Sequence, residues 1–516
     1  MLNPLTVTHF VLTELIHRRA DIIGNRTSYL FNLTVLVIEG GPNNRHNPLI
    51  VHPTFFFANL APSTKTIAFH TSKKSEFLAN RELVVPTASR TNLNLWSMPG
   101  WSADELLPYM KKLHGSDDPV IVSSGTYRAA RIEDDFLAAL KAVGYPEIED
   151  LGDLDSCNGA MRAMRFVDPG GLRQGAAHSY LHPRLERGKH PNLHVLVEVK
   201  IERALLDNKR ATGVVYRPGL AKSEPRAVKA RRMVVVSGGV FRTPAILLER
   251  SGIGNPQILK QAGVEPIIEL PGLGDGYQDH HLQGYPCKSS LNPDETHDAI
   301  NGGRFDIENP ETRKLLGCNA ADISCKLRPT KNDVAALGSE FQKVWEKEWK
   351  HNENKPMASS YPGVPIGLPV TQYFGHNIFS PYPASRGHVH ITGPGLDDKL
   401  DFDAGFFGGA GGIDVKKLYR GEVPQGHPSF TANSSPACIE TVEVLLENIP
   451  NIEYTPKDDA TIDQWLPSKV ADLSTAPGNI GAHTANTAYV IGEKVADIII
   501  HELSHVVHTQ SAILTI

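Results

Sequence analysis

Three groups of residues in this chain have the types and spacing to do chemistry. The first is Glu39, which ends the β-branched run Leu33-Thr34-Val35-Leu36-Val37-Ile38 and precedes Gly40-Gly41-Pro42. In dinucleotide-binding folds an acid at the carboxyl tip of a buried parallel strand accepts hydrogen bonds from a ribose hydroxyl. The plainer alternative is a carboxylate that caps its own turn. The second is His501-Glu502-Leu503-Ser504-His505, which fits the zinc hydrolase pattern H-E-x-x-H. There two histidines one helical turn apart bind the metal and the glutamate activates water. Only 11 residues follow His505, little chain for a third ligand and a cleft, so the segment reads as the polar face of a helix whose apolar face carries Ile498, Ile499 and Val506. The third group is the pairs His280-His281 and His388/His390, the latter alternating with Val389 and Ile391 as one strand face would. Neither pair shows a converging acid and third ligand, so no metal is assigned.

Placing Glu39 requires residues 33–38 to form a buried parallel strand. A second β-rich tract begins at Asn192, turns at Asp207-Asn208 and continues through Thr212-Gly213-Val214-Val215-Tyr216, with the alternation of a meander. The run from Arg232 to Ser237 predicts another buried strand, leading straight into Gly238-Gly239. A helix is predicted from Thr243-Pro244 to Arg250, with proline at its start and Ser251-Gly252-Ile253-Gly254 stopping it. Between about 276 and 450 turns dominate, with one helix predicted over 333–346 and a glycine-rich loop at 408–412. A closing apolar-faced helix is predicted over 487–500.

Bulk properties exclude several classes. A chain of 516 residues with 41% hydrophobic and 21% charged content is globular, and its net charge of -5 gives no electrostatic reason for a nucleic acid or anionic membrane partner. The expected partner is a small molecule. Five widely spaced cysteines without a C-x-x-C pair point to a reducing compartment. The run from Phe10 to Ile16 is followed by His17-Arg18-Arg19, the reverse of a signal peptide's charge order, and no stretch approaches the roughly 20 apolar residues that span a bilayer. The chain ends in Ile-Leu-Thr-Ile, which is no Ser-Lys-Leu peroxisomal address. The expectation is an intracellular protein, cytoplasmic or peroxisomal, with a homo-oligomer left open.

Six phrases, in order, resemble the glucose-methanol-choline (GMC) oxidoreductase family, and within it the alcohol (methanol) oxidase-like members. They are Val35-Leu-Val-Ile-Glu-Gly-Gly-Pro42, Pro99-Gly-Trp-Ser-Ala-Asp-Glu-Leu-Leu-Pro108, the run from Gly238 to Gly254, Pro271-Gly-Leu-Gly-Asp-Gly-Tyr-Gln-Asp-His280, His388-Val-His-Ile-Thr-Gly-Pro394 and Asp472-Leu-Ser-Thr-Ala-Pro-Gly-Asn-Ile-Gly-Ala482. The resemblance implies an α/β flavoprotein: a Rossmann-like FAD-binding domain with an inserted α+β substrate domain on an antiparallel sheet. It implies hydride transfer from a small alcohol to FAD, with oxygen as acceptor. The FAD-binding domain would comprise 1–115, 191–275 and 456–516, and the substrate domain 116–190 and 276–455. Carried over by position, Glu39 would hold the adenosine ribose, Ile201 would meet the adenine through its main chain, and Asp472 would hold the ribityl chain. Asn479, Ile480 and Gly481 would lie beside the pyrimidine end of the flavin, and His483 takes the place of the family's second catalytic residue.

The chain departs from that family at three functional places. A phosphate-cradling G-x-G-x-x-G belongs roughly 20 residues before Glu39, yet residues 8–20 contain no glycine and only Gly24 precedes Gly40. The Gly-Gly-Gly-Ser-Ser stretch that covers the flavin in relatives is replaced by Thr87 to Trp96, which passes almost directly to Pro99-Gly100-Trp101. The strand and loop carrying the main catalytic histidine are missing, because only Leu466-Pro467-Ser468 joins the acidic segment 458–465 to 469–474. Impaired activity and weak flavin retention are therefore expected. The alternatives are a non-catalytic remnant, or a gene model that has lost coding segments, and more remotely a zinc hydrolase acting through His501 to His505.

Overall fold

The structure, a computed structural model, describes residues 34–55, 69–71, 84–86, 103–112, 120–151, 156–186, 190–219, 223–288, 291–292, 295–297, 300, 309–318, 321–348, 350, 358–362, 373–408, 412–414, 471–474, 493–494, 496–497 and 512–515. The N-terminal tract 8–20, the segment 87–96, residues 479–483 and the H-E-x-x-H segment lie outside the described residues.

Strand β1 (Val35–Ile38) forms where its β-branched residues predict it, with Val37 wholly buried. Strands β2 (Phe69–Thr71) and β3 (Val84–Pro86) form an antiparallel pair. After the helices Ala103–Lys112 and Ala130–Ala142 come β4 (Gly159–Arg162) and β5 (Leu193–Leu196). β5 lies parallel to β1, and Leu181 packs with Val37 and Leu193 to bury that pair.

The tract beginning at Asn192 is not one meander. Glu198 takes a left-handed backbone conformation (φ 57°), which separates β5 from β6 (Val199–Asp207) and lets the two join different sheets. β6 pairs antiparallel with β7 (Arg210–Pro218), and β7 with β8 (Arg226–Lys229). The hairpin turns at Asn208 and Lys209, both at positive φ, the geometry that matches the twist of the flanking strands. β9 (Met233–Val236) lies parallel to the C-terminal segment Ala512–Thr515.

The predicted helix after β9 begins earlier than expected and is irregular. An α-helical turn at Gly239–Phe241 passes into a π-helical stretch, Arg242–Leu248, and then a 3-10 turn, Glu249–Ser251. Pro244 has no N–H and its ring crowds the carbonyl four residues before it, so the backbone widens and the Glu249 N–H donates to the Pro244 carbonyl. Gly252, at φ 81°, ends the element, since a Cβ there would lie 2.5 Å from the Glu265 carbonyl oxygen. β10 (Ile253–Gly254) then pairs parallel with β11 (Ile268–Glu269).

The middle block holds more strand than its turns suggest. It contributes β12 (Asp275–Tyr277), β13 (Asp279–Lys288), β14 (Ile323–Leu327), β15 (Ala358–Pro362), β16 (Tyr373–Ser380), β17 (Gly387–Ile391) and β18 (Leu400–Asp403). The chain continues to β19 (Ala471–Ser474) and β20 (Ala512–Thr515). A six-stranded antiparallel sheet runs in the order β19-β13-β16-β15-β14-β4, and a smaller one in the order β12-β17-β18. The helix predicted over 333–346 is two helices, Lys331–Ala336 and Ser339–Glu348, broken at Gly338 with φ 89°. The largest apolar cluster joins Phe241, Leu259, Tyr277, Val389, Ile391 and Phe402, packing the element after β9 against the smaller sheet. Parallel strand pairs beside an antiparallel sheet are the α/β architecture expected. No helix among the described residues is long and apolar enough to cross a membrane.

Candidate functional site

Glu39 leaves the carboxyl end of β1 with its N–H donating to the Leu196 carbonyl at 2.8 Å and its own carbonyl accepting from Val199 N–H at 3.0 Å. These bonds stitch the tip of β1 between the end of β5 and the start of β6. The carboxylate is 7% exposed and accepts from the Gly41 N–H at 2.6 Å, so turn capping is realised. Capping and ligand binding are compatible, because a carboxylate offers about four lone-pair sites. Arg242 lies within electrostatic reach of Glu39, and although burial lowers the Arg242 pKa, the carboxylate opposes that effect. Gly239 reaches φ 78° at the carboxyl side of β9, and Gly238 N–H donates to Thr243 Oγ1 at 2.8 Å. Ile201 is half-buried on β6 and packs on Val234 and Val236 of β9. Glu39 thus sits at the end of a parallel strand, the kind of position where open α/β sheets bind ligands, and its carbonyl is bonded to the start of β6, the strand that carries Ile201.

Asp472 lies on β19, antiparallel to β13 and opposite His281 in register. Residues 456–516 therefore supply a strand to the antiparallel sheet. Asn479, Ile480, Gly481 and His483 fall outside the described residues.

The sequence missed the acids that converge on the histidine pair of β17. His390 Nδ1 lies 2.7 Å from Glu249 Oε1, its Nε2 lies 3.2 Å from Asp275 Oδ1, and Glu249 Oε2 accepts from the Ile391 N–H at 2.8 Å. His388 stacks on His390 at 5.4 Å between ring centroids and pairs with Asp401 at 3.3 Å. No sequence signal brings Glu249 to this strand, since 141 residues separate it from His390. Among the described residues no group of three or more His, Cys, Asp or Glu side chains has metal-binding geometry. The cluster is an ion-pair anchor for the Ser251 to Gly254 turn.

Burial alone lowers the His390 pKa, but the hydrogen bonds and charges of Glu249 and Asp275 together outweigh it and hold the imidazole above its ordinary value of 6.5. A group raised in the folded state lends stability that is complete below the unfolded pKa and disappears as pH climbs through the folded one. The melting temperature should therefore fall as pH rises from about 6 into the alkaline range, and His390→Gln should flatten that slope in a thermal-shift series. An equal slope in the variant would assign the dependence elsewhere.

A second buried cluster surrounds His281, which is wholly buried and stacked on Phe407 at 4.6 Å. Its Nε2 meets Ser385 Oγ at 3.1 Å, and Ser385 Oγ donates to Asp414 Oδ2 at 2.8 Å. Asp414 sits in a helical turn at 412–414 that directly follows the glycine-rich tract read as loop, so that tract does lead into a helical turn. The hydroxyl donates to the acid, so the serine is a linker here and not a nucleophile activated by a base.

Residues 86–282 match the family model described as GMC oxidoreductase. The chain is 28% identical to an alcohol oxidase of Candida boidinii over an alignment of 612 residues, covering 92% of each protein. In fold it is similar to a formate oxidase (TM-score 0.74, 16% identity, 97% of each chain covered). It also superposes on an FAD-dependent oxidoreductase from Chaetomium thermophilum (TM-score 0.69, 20% identity, 97% of each chain covered).

Proposed function

Given that the chain carries a GMC oxidoreductase domain and is similar to an alcohol oxidase along most of its length, we propose that it is an FAD-dependent oxidoreductase acting on the CH–OH group of a small alcohol, with oxygen as acceptor and with reduced activity. The observation that carries this reading is the end-to-end alignment with the alcohol oxidase, 92% of both proteins. The strand-end edge fits a dinucleotide: Glu39 lies at the end of a parallel strand where it enters a glycine turn, and the Arg242 guanidinium is within electrostatic reach of its carboxylate.

Glu39 would accept the adenosine ribose hydroxyls, the Ile201 main chain would meet the adenine, and Asp472 would hold the ribityl chain. Asn479, Ile480 and Gly481 would flank the pyrimidine end. FAD, when bound, supplies the acceptor for the alcohol's hydride and passes the electrons to oxygen, giving peroxide. His483 would hydrogen-bond the substrate hydroxyl and take up its proton, which lowers the barrier to hydride departure.

Reduced activity follows from the segments absent from the sequence. The alignment runs over 612 residues whereas the chain has 516, so the alcohol oxidase carries stretches without counterpart here. Lacking a glycine turn on the pyrophosphate and a cover over the flavin, the protein should purify nearly colourless. Addition of FAD should give weak, substoichiometric binding and slow peroxide production from short primary alcohols. A bright yellow protein with one FAD per chain and rapid turnover would refute the reduced activity. A protein that takes up no FAD at any concentration would favour the non-catalytic remnant.

A further inference from the structure

The element after β9 carries two desolvated arginines, Arg242 and Arg250, that no described residue neutralises by direct contact. Arg250 is 5% exposed, and its Nε and Nη1 have no hydrogen-bond partner. Among the described residues its one hydrogen bond runs from Nη2 to the Asp398 carbonyl at a long 3.5 Å. The acids within electrostatic reach, Asp398, Glu202 and Asp397, do not hydrogen-bond the guanidinium. Two of them are engaged elsewhere, Glu202 with Arg217 and Asp398 with the Gly395 N–H. Arg242, on the first π-helical turn, makes no ion pair or hydrogen bond with a described residue and has Glu39 as its nearby opposite charge. The two guanidinium groups also feel each other's charge.

A buried guanidinium with unmade hydrogen bonds is costly, and two of like sign are costlier. Such an arrangement is stable when an anion completes it. Its position supplies the identity of the anion. The β6 strand that packs against this element begins at Val199, hydrogen-bonded to the Glu39 carbonyl, and Arg242 lies within electrostatic reach of the Glu39 carboxylate, with Arg250 further along the same element. Planar guanidinium groups bind phosphate oxygens through paired N–H donors.

We infer that Arg242, supported by the charge of Arg250, binds the phosphate groups of the nucleotide whose ribose Glu39 holds, and so replaces part of the grip that a glycine-rich turn would provide. The inference rests on the nucleotide reading of the Glu39 edge. Such a contact would give phosphate affinity to a chain without glycine between residues 8 and 20. It also accounts for an arginine on the turn following Gly238-Gly239, where no described residue forms an ion pair or hydrogen bond with it.

Calorimetric titration of the full-length protein with ADP, adenosine and inorganic pyrophosphate tests it, using the wild type, Arg242→Gln and Arg242→Lys. The wild type should bind ADP at least about tenfold more tightly than adenosine, and pyrophosphate should compete with ADP, both effects weakening with salt. In Arg242→Gln the preference for ADP should vanish while adenosine affinity is unchanged, which also shows that the variant is folded. Arg242→Lys should restore most of the preference. An undiminished ADP preference in Arg242→Gln, or a wild type to which pyrophosphate does not bind, overturns the inference and leaves the FAD reading standing if adenosine binds. Arg242-dependent pyrophosphate binding without any adenosine or FAD binding supports the anion site and sinks the FAD reading instead.

Discussion

Glu249→Ala should destabilise the folded protein by about 3–5 kcal/mol, the range for removing one partner of a buried ion pair. Glu249 has no solvent exposure, and its two oxygens serve different partners on β17, His390 through one and the Ile391 N–H through the other. Alanine therefore strands a cationic imidazole and an amide in the apolar cluster of Val389, Ile391 and Phe402. Asp275 still meets the far side of His390, but it is a partly exposed group at 3.2 Å and replaces neither bond. Glu249→Gln should cost less, because it preserves the shape and one acceptor. Urea denaturation of the two variants, alone and combined with His390→Ala, measures the coupling. A Glu249→Ala loss below about 1 kcal/mol would reduce the cluster to the standing of a surface pair.

Asp322→Ala should have a comparable effect for a different reason. Arg165 is 2% exposed and lies 2.6 Å from Asp322 Oδ1, and its remaining donors go to the Ser124, Tyr127 and Ala321 carbonyls. It therefore holds the segment after Val120 against β14. Burial pushes the Asp322 pKa up, while Arg165 pulls it back. Burial, with Arg165 adding to it, drives the neighbouring His297 down to about 4, so that imidazole is neutral and provides no second charge. Losing the carboxylate removes the buried guanidinium's ion pair with Asp322, a cost of about 3–5 kcal/mol. Asp322→Asn should recover part of it by retaining the hydrogen bond. A melting temperature for Asp322→Ala equal to that of the wild type would contradict the account.

How much of this was legible in the sequence depended on the range of each interaction. β1 and β9 were readable because β-branched runs report their own strand preference, and the Ser251-Gly252-Ile253-Gly254 stop because a left-handed backbone needs Gly252. The π-helical widening at Arg242–Leu248 is not legible in the sequence, since proline near a predicted helix start looks the same in an ordinary helix. The single meander failed because one residue, Glu198, changes the backbone sign and divides the tract between two sheets. Of the site residues expected from the sequence, Glu39 lies at the end of β1, Ile201 on β6 and Asp472 on β19 opposite His281.

By itself the sequence determined the strand-end acid, the missing glycine turn and the likeness to GMC oxidoreductases, because each is a local pattern of residue types. Tertiary structure alone decided that Glu249 meets His390, that Ser385 joins His281 to Asp414, and that Arg242 stands desolvated within reach of Glu39. Those pairings span tens to hundreds of residues of chain. Their energies arise from burial and charge proximity, which no local pattern of residue types encodes.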